Sequence, residues 1–376
     1  MPLTAFSKSG KKEVDIGQWL TINGFHTQGD LQLMELPSQM REWASLDIAC
    51  SCCDAMGVTL VRTARGKSTG QPVAQGHFRF RAADGTSLHE RFCDFYDESN
   101  VRGTDYLTNF NEPRTELTRK IRDLVCRGIT AGLFSQEDMH NMRKWFLKEK
   151  EANTRPMDVT PELLDWCEEL QKVYRDYQSE AVNFMPAHGL IPTFDWEAAA
   201  TKEWALRNEV LLTKDWRSWV HFHGAELKRA RVLAEKHAGD VALDPTTLLD
   251  KYRNATLLAT FAVVNVFGHK HTSRDTHALL AFSALLLFKC DWDPQRASAL
   301  FSRLMPLPPL PEGIQGNLIG LNPFHDYEAW RVINAARLKA SNQTDARPIA
   351  IQIAEIKTQI QTQFQHWNEK RAHGQP

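Results

Sequence analysis

Cys50-Ser51-Cys52-Cys53 opens the stretch that decides how this chain reads. It continues through Val58-Thr59-Leu60-Val61-Arg62-Thr63 and His77-Phe78-Arg79-Phe80, and closes with His89 and Cys93-Asp94-Phe95-Tyr96. Structural zinc sites bring four thiolate or imidazole ligands to one tetrahedron, and a Cys-x-x-Cys turn supplies two of them at little cost in chain entropy. Cys50 and Cys53 have that spacing. The second pair is drawn from His77, His89 and Cys93, which leaves Cys52 as an alternate ligand or a bystander. The plainer reading is a set of buried thiols in a reduced protein with histidines at its surface.

Working outward, residues 58–63 alternate and are β-branched, 64–71 are a Gly/Ser/Lys turn region, 73–81 form a second extended run and Asp84-Gly85 marks another turn. This pattern predicts a β-hairpin or meander with the cysteines at one end. Arg62, Arg65, Lys67, Arg79, Arg81 and Arg91 lie along it, interleaved with Phe78, Phe80 and Phe92. Basic and aromatic residues on one sheet face would hold phosphate and stack bases. Strand alternation, however, sets Phe78 and Phe80 on the face opposite Arg79 and Arg81, which equally suits a buried aromatic side and a solvated basic side.

The order Cys50-x-x-Cys53, extended basic run, His77-Phe78-Arg79-Phe80, His89 and Cys93-Asp94-Phe95-Tyr96 resembles the zinc β-ribbon at the front of competence-CoiA-like bacterial proteins, over about residues 46–97. The resemblance implies zinc as cofactor and Cys50, Cys53, His77 and Cys93 as its ligands, with Cys52 and His89 in reserve. Phe80 stands where that family often has a second His. The nuclease segment that often follows such ribbons needs clustered acids and Lys on a strand core, whereas the residues that follow here have helical spacing.

A formal net charge of −1 removes any whole-chain attraction to nucleic acid, so such binding would need a local basic face. Seven Cys, an odd number, and a Lys-containing N-terminus without an apolar core predict a reduced, cytoplasmic protein. The most apolar runs, residues 255–268 and 277–288, fall short of the roughly 20 residues that span a bilayer, so no transmembrane segment is expected.

From Pro113 the pattern is helical. A helix is predicted over 116–126 with Gly128 as its stop, and another from a Ser135/Asp138 capping box to about Lys150. A third opens at Thr160-Pro161 and runs toward Phe184. Ser38, Asp195, Asp215, Asp244, Ser273 and Asp293 are further N-cap candidates. Residues 305–324, rich in Pro and then Gly, read as a connector. Ile349, Ile353, Ile356, Ile360, Phe364 and Trp367 form one stripe on a last helix, too short for a coiled coil and suited to a groove on its own bundle.

A second group of histidines, His221, His223, His237, His269, His271 and His277, raises the question of catalysis. On one helix over 215–237, His221 and His223 would point about 200° apart and cannot share a metal. Arg217 to His223 and Arg231 to His237 match the loose Arg-then-His spacing of HEPN-type ribonucleases. His269, Arg274, Asp275 and His277 sit between the two most apolar segments, where polar groups form either a turn or a site.

The sequence therefore predicts an α+β chain. It comprises an N-terminal segment (1–45), a zinc β-ribbon (46–112), a helical domain (113–340) and a C-terminal amphipathic helix (341–376). The expected function is a zinc-binding adaptor or nucleic-acid-associated protein of bacterial or mobile-element type, contacting nucleic acid or a protein partner. The alternative is a HEPN-like RNase or metal-dependent hydrolase using Arg217, His223, Arg274, Asp275 and His277.

Overall fold

The computed structural model describes residues 4–25, 36–61, 64–65, 72–74, 76–93, 95–96, 107–109, 116–177, 183–212, 222, 224–268, 273–310, 319–343, 345 and 347–373. The N-terminal segment is itself part of the scaffold. Strands β1 (Ala5–Ser7) and β2 (Lys12–Val14) pair antiparallel, Ala5 opposite Val14, with Lys11 at a φ of 52° in the turn. Asp15 then caps α1 (Ile16–Ile22): its side chain accepts from the Gln18 N–H while Gln18 reaches back, a capping box that satisfies two orphan donors. Asn23-Gly24 ends that helix, Gly24 taking a φ of 77° that a Cβ would oppose.

Helix α2 (Ser38–Asp47) has Pro37, not Ser38, in the cap position; Ser38 is its first helical residue. Strand β3 (Ile48–Ala49) leaves α2 directly, pairs with β1 to complete the sheet order β2-β1-β3, and delivers the chain to Cys50. In the ribbon, β4 (Thr59–Val61), β5 (Ala64–Arg65), β6 (Pro72–Ala74) and β7 (His77–Arg79) nest as two antiparallel pairs, β5 with β6 inside β4 with β7. Leu60 stands opposite Phe78, and both are buried. They join Trp19, Leu20, Ile48, Phe80, Phe95 and the buried cysteines in one apolar core.

Helices dominate the rest. After β8 (Leu107–Asn109), α3 (Glu116–Thr130) passes through Gly128, and Gly132 ends it with a φ of 67°. Gly128 is internal because the Phe134 ring and Leu304 occupy the space a Cβ would take. The Ser135/Asp138 capping box starts α4 (Gln136–Ala152) as predicted. Next come β9 (Thr154–Pro156), α5 (Pro161–Tyr177), and α6 (Trp196–Arg207) capped by Asp195. The chain continues with α7 (Gly224–Lys236), β10 (Val241–Leu243), α8 (Leu249–Ala262) and α9 (Ser273–Lys289), which Ser273 opens from inside the first turn. Asp293 caps α10 (Pro294–Leu304), and β11 (Ile319–Leu321), α11 (Tyr327–Ala340) and α12 (Ile349–Ala372) complete the chain. The fold is thus a mostly helical α+β chain with small antiparallel sheets. Asp215 and much of the expected 215–237 helix lie outside the described residues, as do residues 311–318 of the Pro/Gly stretch. Among the described residues no helix is long and apolar enough to cross a membrane.

The chain divides into two compact units, each built from two stretches of sequence. The first is Met1–Asn153 with Thr247–His325, so the ribbon shares its unit with α3, α4, α8, α9 and α10; the second is Thr154–Thr246 with Asp326–Pro376. In the second unit α12 lies in a groove of its own bundle. Ile349, Ile353, Ile356 and Ile360 are buried there, α12 packs on α5 and α6, and Trp204 Nε1 donates to Gln352 Oε1 at 2.9 Å. Ile360, 1 % exposed, should cost about 2–5 kcal/mol on truncation to Ala, read by urea denaturation.

Candidate metal centre

Two short turns bring the ligand groups together. In the first, the Cys50 N–H donates to the Ala55 carbonyl (2.9 Å) and the Asp54 N–H to the Cys50 carbonyl (3.1 Å), with Asp54 at a φ of 63°. In the second, the Cys93 N–H donates to the Glu90 carbonyl at 2.9 Å, which places His89 and Cys93 on one turn. One ligand atom each from Cys50, Cys53, His89 and Cys93 lies within 4.8 Å of the other three, and all four residues are buried. Cys50 Sγ is 3.8 Å from Cys93 Sγ; His89 Nδ1 is 3.5 Å from Cys53 Sγ and 3.6 Å from Cys93 Sγ. This buried group could hold a metal ion.

The fourth member of the group is His89, and the His77 implied by the ribbon resemblance is not in it. His77 sits on β7 opposite Val61, and alternation puts it with Arg79 on the face away from the buried Phe78 and Phe80. The signal for His89 was present as a local pair, His89-x-x-x-Cys93, one residue wider than Cys50-x-x-Cys53 and still within short ligand spacing. Cys52 is buried beside the group, its N–H pointing to Cys50 Sγ at 3.4 Å, without being one of the four.

Backbone donors and burial act on these sulfurs in opposite directions. Backbone N–H groups of Cys52 and Phe95 donate to Cys50 Sγ and Cys93 Sγ, each at 3.4 Å, and such donors favour the thiolate. Burial nevertheless pushes the thiols of Cys50 and Cys93 well up. Hydrogen bonding from Cys50 and then from Cys93 holds Cys53 far below the usual thiol range. Metal ligation requires thiolates, and a dication among the sulfurs would offset the burial that raises the thiols of Cys50 and Cys93.

The first turn is tied into its surroundings at several points. Asp54 accepts from His140 Nε2 (3.2 Å) and Lys144 Nζ (2.6 Å) on α4, and Arg143 donates to the Ser51 carbonyl (3.4 Å) and to the buried carboxylate of Glu13. Ahead of β3, Asp47 accepts from Ser7 Oγ, the Ser9 N–H and Trp19 Nε1, each at 2.7 Å. Burial alone would raise its carboxyl, but these donors outweigh burial and lower it. A depressed folded value means that the contribution to stability is complete above the unfolded pKa of about 3.9 and is lost as pH falls through the folded value. Asp47→Asn should therefore cost about 1.5–3 kcal/mol at pH 7 and progressively less below about pH 4. Urea denaturation across that range checks this, and a penalty independent of pH would contradict it.

The other candidate residues are dispersed. Arg79 is exposed, and Arg81 donates to the Gly85 carbonyl at 3.0 Å. Phe78 and Phe80, at 0 % exposure, are buried and cannot stack bases. Arg62, Lys67, Arg217, His221, His223, His269 and His271 lie outside the described residues, as do the side chains of Arg65, Arg274 and Asp275. His277 Nδ1 accepts from the Asn322 amide at 3.0 Å. Arg231 pairs with Asp165 and Glu168, at 2.6 and 2.8 Å, while His237 is buried with its ring against Trp330. The described part of the HEPN-like pattern is thus engaged in bundle contacts.

Comparison of the chain with protein-family models, curated proteins and solved structures returned no match, and nothing in it links the chain to the CoiA-like ribbons that its motif resembles.

Proposed function

We propose that Cys50, Cys53, His89 and Cys93 bind zinc as a structural centre, and that the protein is a zinc-organised adaptor or nucleic-acid-associated protein with no reaction at this centre. The spacing of the group carries the reading. A tetrahedral zinc with Zn–S of about 2.3 Å and Zn–N of about 2.05 Å requires S···S edges of about 3.8 Å and S···N edges of about 3.55 Å. The separations of 3.8, 3.5 and 3.6 Å fit both. Four buried protein ligands leave no position for a substrate water, unlike catalytic zinc sites, which keep one open.

Contact with a partner falls to the solvent side of the ribbon. Arg79 is exposed there and Arg81 is half-exposed, Arg91 is exposed in the His89–Cys93 turn, and the aromatic side is committed to the core. Phosphate attraction by such residues is salt-dependent and independent of sequence. Thiol ligands and an odd cysteine count suit a reducing, cytoplasmic setting.

Elemental analysis of the purified chain, combined with electrophoretic shift of single- and double-stranded nucleic acid at two salt concentrations, tests the reading. About one zinc per chain and a shift that weakens with salt and in Arg79→Glu/Arg91→Glu support it. A chain that folds fully without metal overturns it, as does cleavage of the probe by the zinc-loaded chain.

A further inference from the structure

Where α10 ends, the chain enters Pro306-Leu307-Pro308-Pro309-Leu310-Pro311, a proline run that the metal centre leaves without a role. Covalent chemistry fixes the backbone here. Pro308 and Pro309 hold φ at about −65°, while Leu307, Pro308 and Leu310 each precede a proline and are kept out of the helical region. All four residues 307–310 are therefore confined to extended, polyproline-like conformations, and 308–310 belong to no helix or strand. The Leu307 N–H closes the last turn of α10 onto the Leu304 carbonyl at 3.2 Å. Beyond it, Pro308 and Pro309 have no N–H with which to pair a strand.

Burial shows which side of this arm is presented. A polyproline helix has three residues per turn, so Leu307 and Leu310 share one face. These two are half-buried, whereas Pro306, Pro308 and Pro309 are exposed. The leucine face is laid on the protein and the prolines are turned to solvent. Such a helix makes no internal hydrogen bonds, and the Leu307 carbonyl is taken instead by the Arg127 guanidinium of α3, which anchors the arm at its start. Alongside, Met305 is 37 % exposed. Arg303, four residues before Leu307, is exposed and makes no hydrogen bond or ion pair among the described residues.

We infer that Pro308 and Pro309, flanked by Met305 and Arg303, dock a protein module that reads polyproline through an aromatic-lined groove with an acidic rim. Neighbouring pyrrolidine rings are rigid apolar surfaces for aromatic rings to hold, and their backbone is already ordered, so little conformational entropy is lost on binding. The unpaired Arg303 supplies the charge that an acidic rim complements, and it fixes the direction of the arm in the groove. Nucleic acid fits poorly, because the proline pair offers no N–H donor and one cation is a slight hold on phosphate. The site shares no residue with the metal centre and goes beyond the adaptor reading in naming the chemistry of a protein partner.

The full chain is titrated by isothermal calorimetry with two probes, an isolated WW domain and an isolated SH3 domain, each carrying an aromatic proline-reading groove. Saturable binding of at least one is expected. Pro308→Ala/Pro309→Ala should weaken it at least about tenfold, and Arg303→Glu about three- to tenfold at low salt, with less effect at high salt. These side chains are exposed, so thermal unfolding should stay at the wild-type value in both variants. Failure of both domains to bind overturns the proposal, and so does binding that replacement of the proline pair leaves unchanged. A dimer of the chain that the same replacement dissociates would make the arm a self-contact and likewise overturn it. None of these outcomes depends on zinc content, which is measured on the same sample, so failure here and failure of the metal assignment are distinguishable.

Discussion

Cys93→Ser is expected to abolish zinc binding and to destabilise the first unit by upwards of about 4 kcal/mol, the largest effect of any single change in the chain. On the proposed reading, a bound metal would close a core that apolar packing alone does not. Cys50, Cys53 and Cys93 are themselves core residues, packed with Phe78, Phe80 and Phe95. Removing one sulfur leaves two buried thiol groups and an imidazole without the charge that organises them. His89→Ala should behave in the same way. Cys52→Ser and His77→Ala should keep about one zinc per chain, because neither side chain is among the four that converge. Metal content and guanidinium denaturation of the four variants, measured together, check this. Zinc lost from His77→Ala but kept by His89→Ala would reverse the ligand assignment.

Arg143→Met should rank second, at about 3–5 kcal/mol, because it breaks a buried ion pair from one side. Arg143 and Glu13 have side chains only 3 % and 6 % exposed, and the guanidinium also bonds the Ser51 carbonyl inside the first ligand turn. Loss of the cation strands the Glu13 carboxylate in the core. Adding Glu13→Gln to Arg143→Met should therefore recover part of the loss, giving a coupling energy of about 1–3 kcal/mol in a double-mutant cycle. Additive effects would show that the two side chains do not act as a pair.

How much of this was legible from residues differs from one element to the next. The capping signals at Ser135, Asp195 and Asp293 are local chemistry, and each appears as a hydrogen-bonded cap. The isoleucine stripe of the last helix is likewise self-contained, and it lies in a groove of its own bundle. Cys50, Cys53 and Cys93 were legible because thiols at short spacing carry one chemistry. His89 was held in reserve behind His77 because the ribbon resemblance weighed the strand histidine, although alternation with the buried Phe78 and Phe80 already sets His77 on the outer face of β7. Gly128 misled for a related reason. A glycine stops a helix when its backbone turns left-handed, but here it is small because Phe134 and Leu304 press on it. Least legible was the part played by residues 4–22, whose short strands and one capped helix acquire meaning only when β3 joins their sheet and carries Cys50 into place.

X-ray absorption at the zinc edge on the purified full-length protein addresses the central claim most directly. The account predicts a four-coordinate ion with three sulfur neighbours at about 2.3 Å and one imidazole nitrogen at about 2.0–2.1 Å, the nitrogen signal disappearing in His89→Ala. A shell dominated by oxygen, or one sulfur-and-nitrogen shell that is unchanged by His89→Ala, would contradict it.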